Sequence, residues 1–100
     1  MERRVHSRKA MQFLVQHMTV DGVEVHFDYA SDLSIGGLFL TTEKPLPAAT
    51  RFQVQFSPTK DERIVSADCV VTHSKRGGMG VQFQGIDADS VKLIESIVSA

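Results

Sequence analysis

The stretch VEVHFDY, residues 23–29, alternates apolar and polar side chains over its whole length. Successive side chains of a β-strand point to opposite faces, so this alternation indicates a strand with one buried face. Phe13 and Val15 predict a preceding strand, and the dipeptide Asp21-Gly22 between the two stretches is typical of a tight turn. The sequence therefore predicts an antiparallel hairpin in the first third of the chain.

Two loop lengths fit this hairpin, and each gives a different strand register. A two-residue loop pairs Val15 with Asp28, whereas a three-residue loop pairs Val15 with Phe27. The longer loop gathers the apolar residues on one face and lets Gly22 adopt the left-handed conformation that glycine tolerates best. We therefore expect the three-residue loop.

Three further alternating stretches and a short apolar stretch after a glycine pair, at 38–40, predict strands, and the end of the chain predicts a helix. The strands are expected at 38–40, 52–56, 65–71 and 79–83, with a spacing that suggests a meander that closes or nearly closes on itself. Residues 87–99 place apolar side chains at helical spacing, and Asp87 is a favourable N-cap. This helix is expected to cap an open end of the sheet or cover an edge, and the alternative is that it docks a partner.

Length and composition limit the class of protein. One hundred residues make one domain, and 11 basic against 12 acidic side chains give a net charge of -1, which excludes a net basic excess for nucleic acid. The sequence has no apolar run long enough to span a membrane, no apolar segment of a secretory signal at its start, and a single cysteine, Cys69. We expect one cytoplasmic domain without membrane insertion or an internal disulfide.

Charge is distributed unevenly along the chain. Residues 1–9 contain Arg3, Arg4, Arg8 and Lys9 against Glu2, a net charge of +3, whereas the rest of the chain has a net charge of -4. We expect residues 1–9 to form a flexible basic arm in front of a barrel over 10–84, and an anionic ligand to order that arm. The simpler interpretation is a solvated, frayed terminus.

The arm contains the first of two motifs, Arg4-x-x-x-Arg8, with Arg3 beside it. A guanidinium group presents a planar fork of donors that matches phosphate oxygens two at a time and also stacks on bases. Two such groups four residues apart on a flexible segment are suited to bind one anion from two sides.

The second motif is DLSIGG, residues 32–37. Asp32 offers two acceptor oxygens, which suit the N1 and N2 donors of a guanine edge, and Ser34 adds a hydroxyl. Gly36 and Gly37 have no side chain, so a flat ring or a phosphate would be able to approach the backbone closely. The structural alternative is a capped turn with two permissive glycines between strands.

Together the two motifs resemble the signature of the PilZ domain family, Arg-x-x-x-Arg followed by Asp/Asn-x-Ser-x-x-Gly. The segment GMGVQF at 78–83 resembles the late Gly-Val-x-Phe strand of that family, and Leu46-Pro47 before the strand at 52–56 is also typical of it. The resemblance extends over almost the whole chain. It implies a single domain over 1–100, all-β with a C-terminal helix, in which a six-stranded antiparallel β-barrel is capped by one α-helix.

The resemblance also implies a function. Many PilZ domains bind the bacterial second messenger cyclic di-GMP, and on this basis Arg4 and Arg8 are expected to contact its phosphates and stack on guanine. Asp32 and Ser34 are then expected to read a guanine edge, next to the space left by the glycines. Such a protein is a receptor and not an enzyme, it has no metal or other cofactor, and it signals to an unknown protein partner in motility, polysaccharide or virulence control.

Arg3 carries an expectation of its own. In PilZ domains the residue before the first arginine influences whether one ligand or a stacked pair is bound. A stacked pair of cyclic di-GMP molecules brings four phosphate charges, so an additional cation at this position favours two ligands per chain.

Other functions fit the sequence less well. No nucleophile elbow is present, and His17 and His26 fall on different faces in the expected register, so we expect no catalytic or metal site. No aromatic stacking platform among basic residues is evident, so we do not expect a nucleic-acid polymer as partner. The remaining alternative is a PilZ-like protein–protein adaptor that does not bind nucleotide.

Overall fold

The alternating stretches become the strands of the barrel. The computed structural model describes residues 8–60 and 63–99, and in these it contains β1 (Arg8–Thr19), β2 (Val25–Ser34), β3 (Gly37–Thr41), β4 (Arg51–Phe56), β5 (Val65–Lys75), β6 (Gly78–Ile86) and α1 (Ala88–Val98). The predicted six antiparallel strands and C-terminal helix are confirmed. β1 begins at Arg8, so the last two residues of the predicted arm belong to the barrel, and residues 1–7 lie outside the described residues.

The strands close into a barrel in the order β1-β2-β3-β6-β5-β4. The chain is therefore not a simple meander, because β3 pairs with β6 and β4 pairs with β1 and β5. Residues 42–50 connect β3 to β4 at the end of the barrel opposite α1, and Leu46 in this connection packs against the core. The alternation of apolar and polar residues predicts where strands lie, but it does not predict the order in which the strands pair.

The barrel interior and one side of α1 form a single hydrophobic core. Asp87 caps the helix, since its side chain accepts a hydrogen bond from the backbone N–H of Ser90 (3.1 Å). Leu93 and Ile94 of α1 are buried in the core. The predicted capping helix is confirmed, and its largest companions in the core, all less than 2% exposed, are Phe52, Leu33, Leu38, Leu40 and Met79.

The register of the β1–β2 hairpin differs from our prediction. Val15 pairs with Asp28 and not with Phe27, so the pairing is the one we set aside. The three-residue loop that we expected is therefore wrong, although Gly22 has the predicted left-handed conformation, with a φ of 74°, and its N–H donates to the Thr19 carbonyl (2.8 Å).

A bulge in β2 explains the error. Ala30 pairs with Leu40 and Asp32 pairs with Phe39, so Ser31 is an extra residue that reverses which face the neighbouring side chains occupy. Leu33 and Ala30 both point into the core, and the apolar residues before them on β2 therefore point outward. Phe27, at 60% exposure, lies on the outer face of the barrel instead of in its core.

No helix in residues 8–60 and 63–99 is long and apolar enough to cross a membrane.

Candidate functional site

The barrel brings residues from both sequence motifs into contact. Nη1 of Arg8 donates a hydrogen bond to Oδ1 of Asp32 at 2.9 Å, although the two residues are 24 positions apart. The same carboxylate oxygen accepts from the backbone N–H of Phe39 at 3.0 Å. The bulge at Ser31 makes this contact, because it turns Asp32 to the outer face, where β1 begins.

Arg8 retains binding capacity in this arrangement. Its side chain is 43% exposed, and that of Asp32 is 25% exposed. A guanidinium group has five N–H donors, so the hydrogen bond to Asp32 leaves further donors to face an anion. The pair therefore presents a cation and an acceptor side by side on the barrel surface.

Ser34 is placed differently from Asp32. It is 3% exposed, and its hydroxyl donates to the carbonyl of Gly37 and accepts from the N–H of Gly37, both at 3.2 Å. These bonds close the two-residue turn between β2 and β3, in which the Gly36 carbonyl accepts from the N–H of Phe83 (2.9 Å). In this geometry Ser34 holds the hairpin that presents Asp32, and its predicted contact with a guanine edge stays a prediction.

Strand packing requires glycine at position 37, which the sequence did not reveal. A Cβ atom at this position would overlap the Val81 carbonyl oxygen and lie 3.0 Å from its carbonyl carbon and 3.1 Å from the Gln82 Cα. The obstacle is the backbone of β6, which pairs with β3 here. Glycine is therefore needed for the two strands to approach, whatever room it also leaves for a ligand.

The two remaining site predictions, Arg3 and Arg4, lie outside the described residues. Of the predicted site, the structure thus brings Arg8 and Asp32 together on the surface and places Ser34, Gly36 and Gly37 in the adjoining turn.

A group of aromatic and cationic side chains lies beside this site, and the sequence reasoning missed it. The rings of Phe39 and His73 have centroids 6.2 Å apart and an interplanar angle of 35°, and Nζ of Lys75 lies 5.2 Å from the Phe39 centroid. We call Phe39, His73 and Lys75 the aromatic platform. Phe39 is the strand partner of Asp32, so the aromatic platform begins next to the Asp32 carboxylate. Our expectation that no aromatic platform lies among basic residues was wrong.

Alternate glycines in β6 make the platform possible. A Cβ atom on Gly78 would collide with the Phe39 ring, and one on Gly80 would collide with the His73 ring. Because these positions on the outer face have no side chain, rings from the strands on both sides lie across β6. The Gly-x-Gly spacing in an alternating strand was the signal in the sequence that could have indicated it.

The histidines of the hairpin form a second polar cluster at the other end of the barrel. His17 and His26 stack with centroids 5.4 Å apart, so they share a face, which corrects our expectation. Nε2 of His17 lies 2.8 Å from Oδ2 of Asp28, and the His17 side chain is almost fully buried. Among the residues that the structure describes, no group of three or more His, Cys, Asp or Glu side chains is arranged to hold a metal ion.

The surface around Asp32 suits a particular chemistry. It combines a guanidinium, a carboxylate, two ring faces and an amine within a few adjacent strands. Cationic forks bind phosphates, a carboxylate pairs with N–H donors, and ring faces stack on planar heterocycles. These are the groups that a ligand with both phosphates and bases requires.

Comparison with known proteins agrees with this description. The family model described as the PilZ domain matches residues 2–100 of the chain. No protein among the curated sequences matches it.

Several solved structures share the fold. The PilZ domain of YcgR from Escherichia coli, with c-di-GMP, is 17% identical, with a TM-score of 0.77 over 98% of this chain and 90% of that one. The inhibitor of motility MotI/DgrA of Bacillus subtilis is 16% identical, with a TM-score of 0.86 over 99% of this chain and 51% of that one. The MrkH–c-di-GMP complex of K. pneumonia is 19% identical, with a TM-score of 0.77, and again 99% and 51% are covered. The chain thus spans about half the length of two of these three proteins.

Proposed function

The chain belongs to the PilZ domain family, and from this premise we propose that it is a bacterial, cytoplasmic receptor for cyclic di-GMP that signals to a partner protein. The observation that carries the proposal is the contact between Arg8 and Asp32, which joins the two sequence motifs on one surface. Two of the structures with this fold contain c-di-GMP, which supports the choice of ligand.

Each residue has a defined role in the proposal. Arg4 and Arg8 bind the phosphates and stack on guanine, and Asp32 accepts hydrogen bonds from a guanine edge. The turn that fixes the position of Asp32 is formed by Ser34, Gly36 and Gly37. In the proposal, Ser34 also adds a hydroxyl near the ligand.

The platform supports the same proposal. Phe39 and His73 offer ring faces on the strands that follow Asp32, and bases stack on such faces. Lys75 adds a positive charge beside them. Binding consists of recognition and ordering of the basic arm, with no bond made or broken, so the proposed protein is not an enzyme.

The proposed affinity follows from opposing contributions. Because Arg8 and Lys9 already belong to β1, ordering roughly seven arm residues costs at most on the order of 7–14 kcal/mol of backbone entropy, which the charged contacts have to offset. We expect a dissociation constant near or below the micromolar range, which corresponds to a binding free energy of about -8 kcal/mol. Because most contacts are between charges, binding should weaken markedly as salt increases.

Isothermal titration calorimetry with cyclic di-GMP tests the proposal. Wild-type protein should bind, and Arg4→Ala and Arg8→Ala should lose binding. Arg51→Ala, which removes an exposed arginine from β4, should bind like wild type. Two ligands per chain would support the role of Arg3, and one ligand would remove it. Absence of heat and of a thermal shift with wild-type protein would refute the receptor function.

A protein–protein adaptor without nucleotide is the second candidate. The observation in its favour is that Ser34 and Gly37 both have structural reasons for their identity that involve no ligand. An adaptor would show no response to cyclic di-GMP in the same titration, so the experiment separates the two functions.

A further inference from the structure

The large hydrophobic side chains that are exposed concentrate on one hairpin. Seven such residues occur in the described parts of the chain, and six of them lie in β1, β2 or the loop between them. The seventh, Ile64, lies just before β5. Exposed apolar residues are ordinary when scattered, but a continuous group marks an interaction surface. This group is Leu14, Val20, Val23, Val25, Phe27 and Tyr29.

Strand pairing makes the centre of this hairpin face continuous. Leu14 is directly opposite Tyr29, and Gln16 is directly opposite Phe27, so their side chains share the outer face. The next strand, β4, adds Gln55 opposite Gln16. The centre of the face is therefore apolar side chains and glutamine amides, without a charged group among these described positions. An amide both donates and accepts hydrogen bonds, so such a surface is complementary to itself.

The two ends of the hairpin carry opposite charge. β1 begins with the cations Arg8 and Lys9, so this end stays net positive after the pairing of Arg8 with Asp32. The loop at the other end contains Asp21 and Glu24 and no cation. If two hairpins pack face to face in opposite directions, the acidic loop of each lies beside the basic end of the other.

We propose that this face binds a second copy of the chain, in a two-fold dimer with the β1–β2 hairpins antiparallel and the axis near Leu14 and Phe27. The axis brings the apolar centre of the face onto itself, and the charged ends then attract each other. The dimer requires no nucleotide, so this inference is independent of the proposed function.

The size of the face sets the strength of the dimer. An aromatic side chain has about 150–250 Å² of surface, so Phe27 and Tyr29, each at least half exposed, contribute on the order of 100 Å² apiece. The whole apolar group is then on the order of 500 Å², below the roughly 800 Å² per partner of a stable interface. The dimer should therefore be weak and depend on protein concentration.

Sedimentation analysis of the whole chain tests the proposal. The average mass of wild-type protein should rise from that of one chain toward that of two between about 10 µM and 1 mM. Phe27→Ser should shift this rise to at least tenfold higher concentration, and Glu24→Lys should shift it in the same direction. Ile64→Ser, a matched loss of an exposed hydrophobic residue outside the hairpin, should leave it unchanged. All these side chains are exposed, so the fold is expected to persist, which melting curves would verify.

Distances between spin labels test the arrangement. Backbone sites at Gln55→Cys, close to the axis, should lie about 12 Å apart, and those at Val20→Cys, toward the loop, about 35 Å apart, from the rise per residue and the sheet spacing, and the label distances should follow this order. Buried Cys69 is expected to stay unlabelled. A monomer at all concentrations, a dimer insensitive to Phe27→Ser, or short distances at both positions would each overturn the proposal.

Discussion

Gly37→Ala is the substitution that best separates the role of Gly37 in strand packing from its proposed role in ligand binding. The added Cβ atom would overlap the carbonyl oxygen of Val81 and touch two further backbone atoms of β6. Real Cβ atoms essentially never approach another heavy atom within 3.0 Å, so β3 and β6 have to separate at this point. Both strands are hydrogen-bonded on both sides in a closed barrel, and no flexible side chain is available to give way.

The expected cost is large for a domain of this size. Overpacking in a well-packed region typically costs 1–3 kcal/mol, and a collision with backbone belongs at the upper end, about 3 kcal/mol. For a domain of about 100 residues this lowers the melting temperature by roughly 12–24 °C. Thermal and urea unfolding of the protein without nucleotide would measure it.

Gly85→Ala, in β6 where that strand pairs with β5, is the matched control. A Cβ atom there meets the side chain of Asp68, with the nearest atom, Oδ2, at 3.2 Å, and this side chain is able to rotate away. We expect a change in stability within about 1 kcal/mol. If Gly37→Ala melts within about 3 °C of wild type, the strand approach inferred from the structure is wrong. If it is stable and only loses nucleotide, Gly37 serves the ligand alone.

Three further predictions concern other residues. Ser34→Ala should destabilise the protein by about 1–3 kcal/mol in urea unfolding without nucleotide, because it leaves both backbone groups of Gly37 without their partner, and an unchanged midpoint would contradict the hairpin role. Hydrogen bonds from the Ser90 hydroxyl and then from its backbone N–H lower the pKa of Asp87 below its usual 3.8, so its contribution to stability is present above that value and is lost as pH falls below it. Asp87→Asn should therefore show a shallower loss of melting temperature between about pH 5 and pH 2 than wild type, and parallel curves would refute this assignment. Burial, with a smaller effect of Asp68, raises the pKa of the Cys69 thiol to about 12, so a thiol reagent at pH 8 should label it only after unfolding, and rapid labelling of native protein would show that the core is open.

The residues of the candidate site were predictable from the sequence, but their contact and the aromatic side chains beside them were not. Residue type and spacing singled out Arg8 and Asp32, because these groups suit the proposed phosphate and guanine contacts, and the structure brings the two side chains together. Their contact depends on where β1 starts and on the bulge in β2, which no local pattern reports. The platform of Phe39 and His73 was missed because its members come from strands that are far apart in sequence.

What the sequence determined by itself was local: the six strand stretches, the left-handed Gly22, the helix with its cap at Asp87, and the two motifs. Each of these depends on the side-chain period or on the backbone preference of a few neighbouring residues. The tertiary structure decided the pairing order of the strands, the hairpin register and the side of the barrel on which Phe27 lies. One extra residue at Ser31 reverses the faces of β2, and only closure of the whole barrel determines whether such a residue is accommodated.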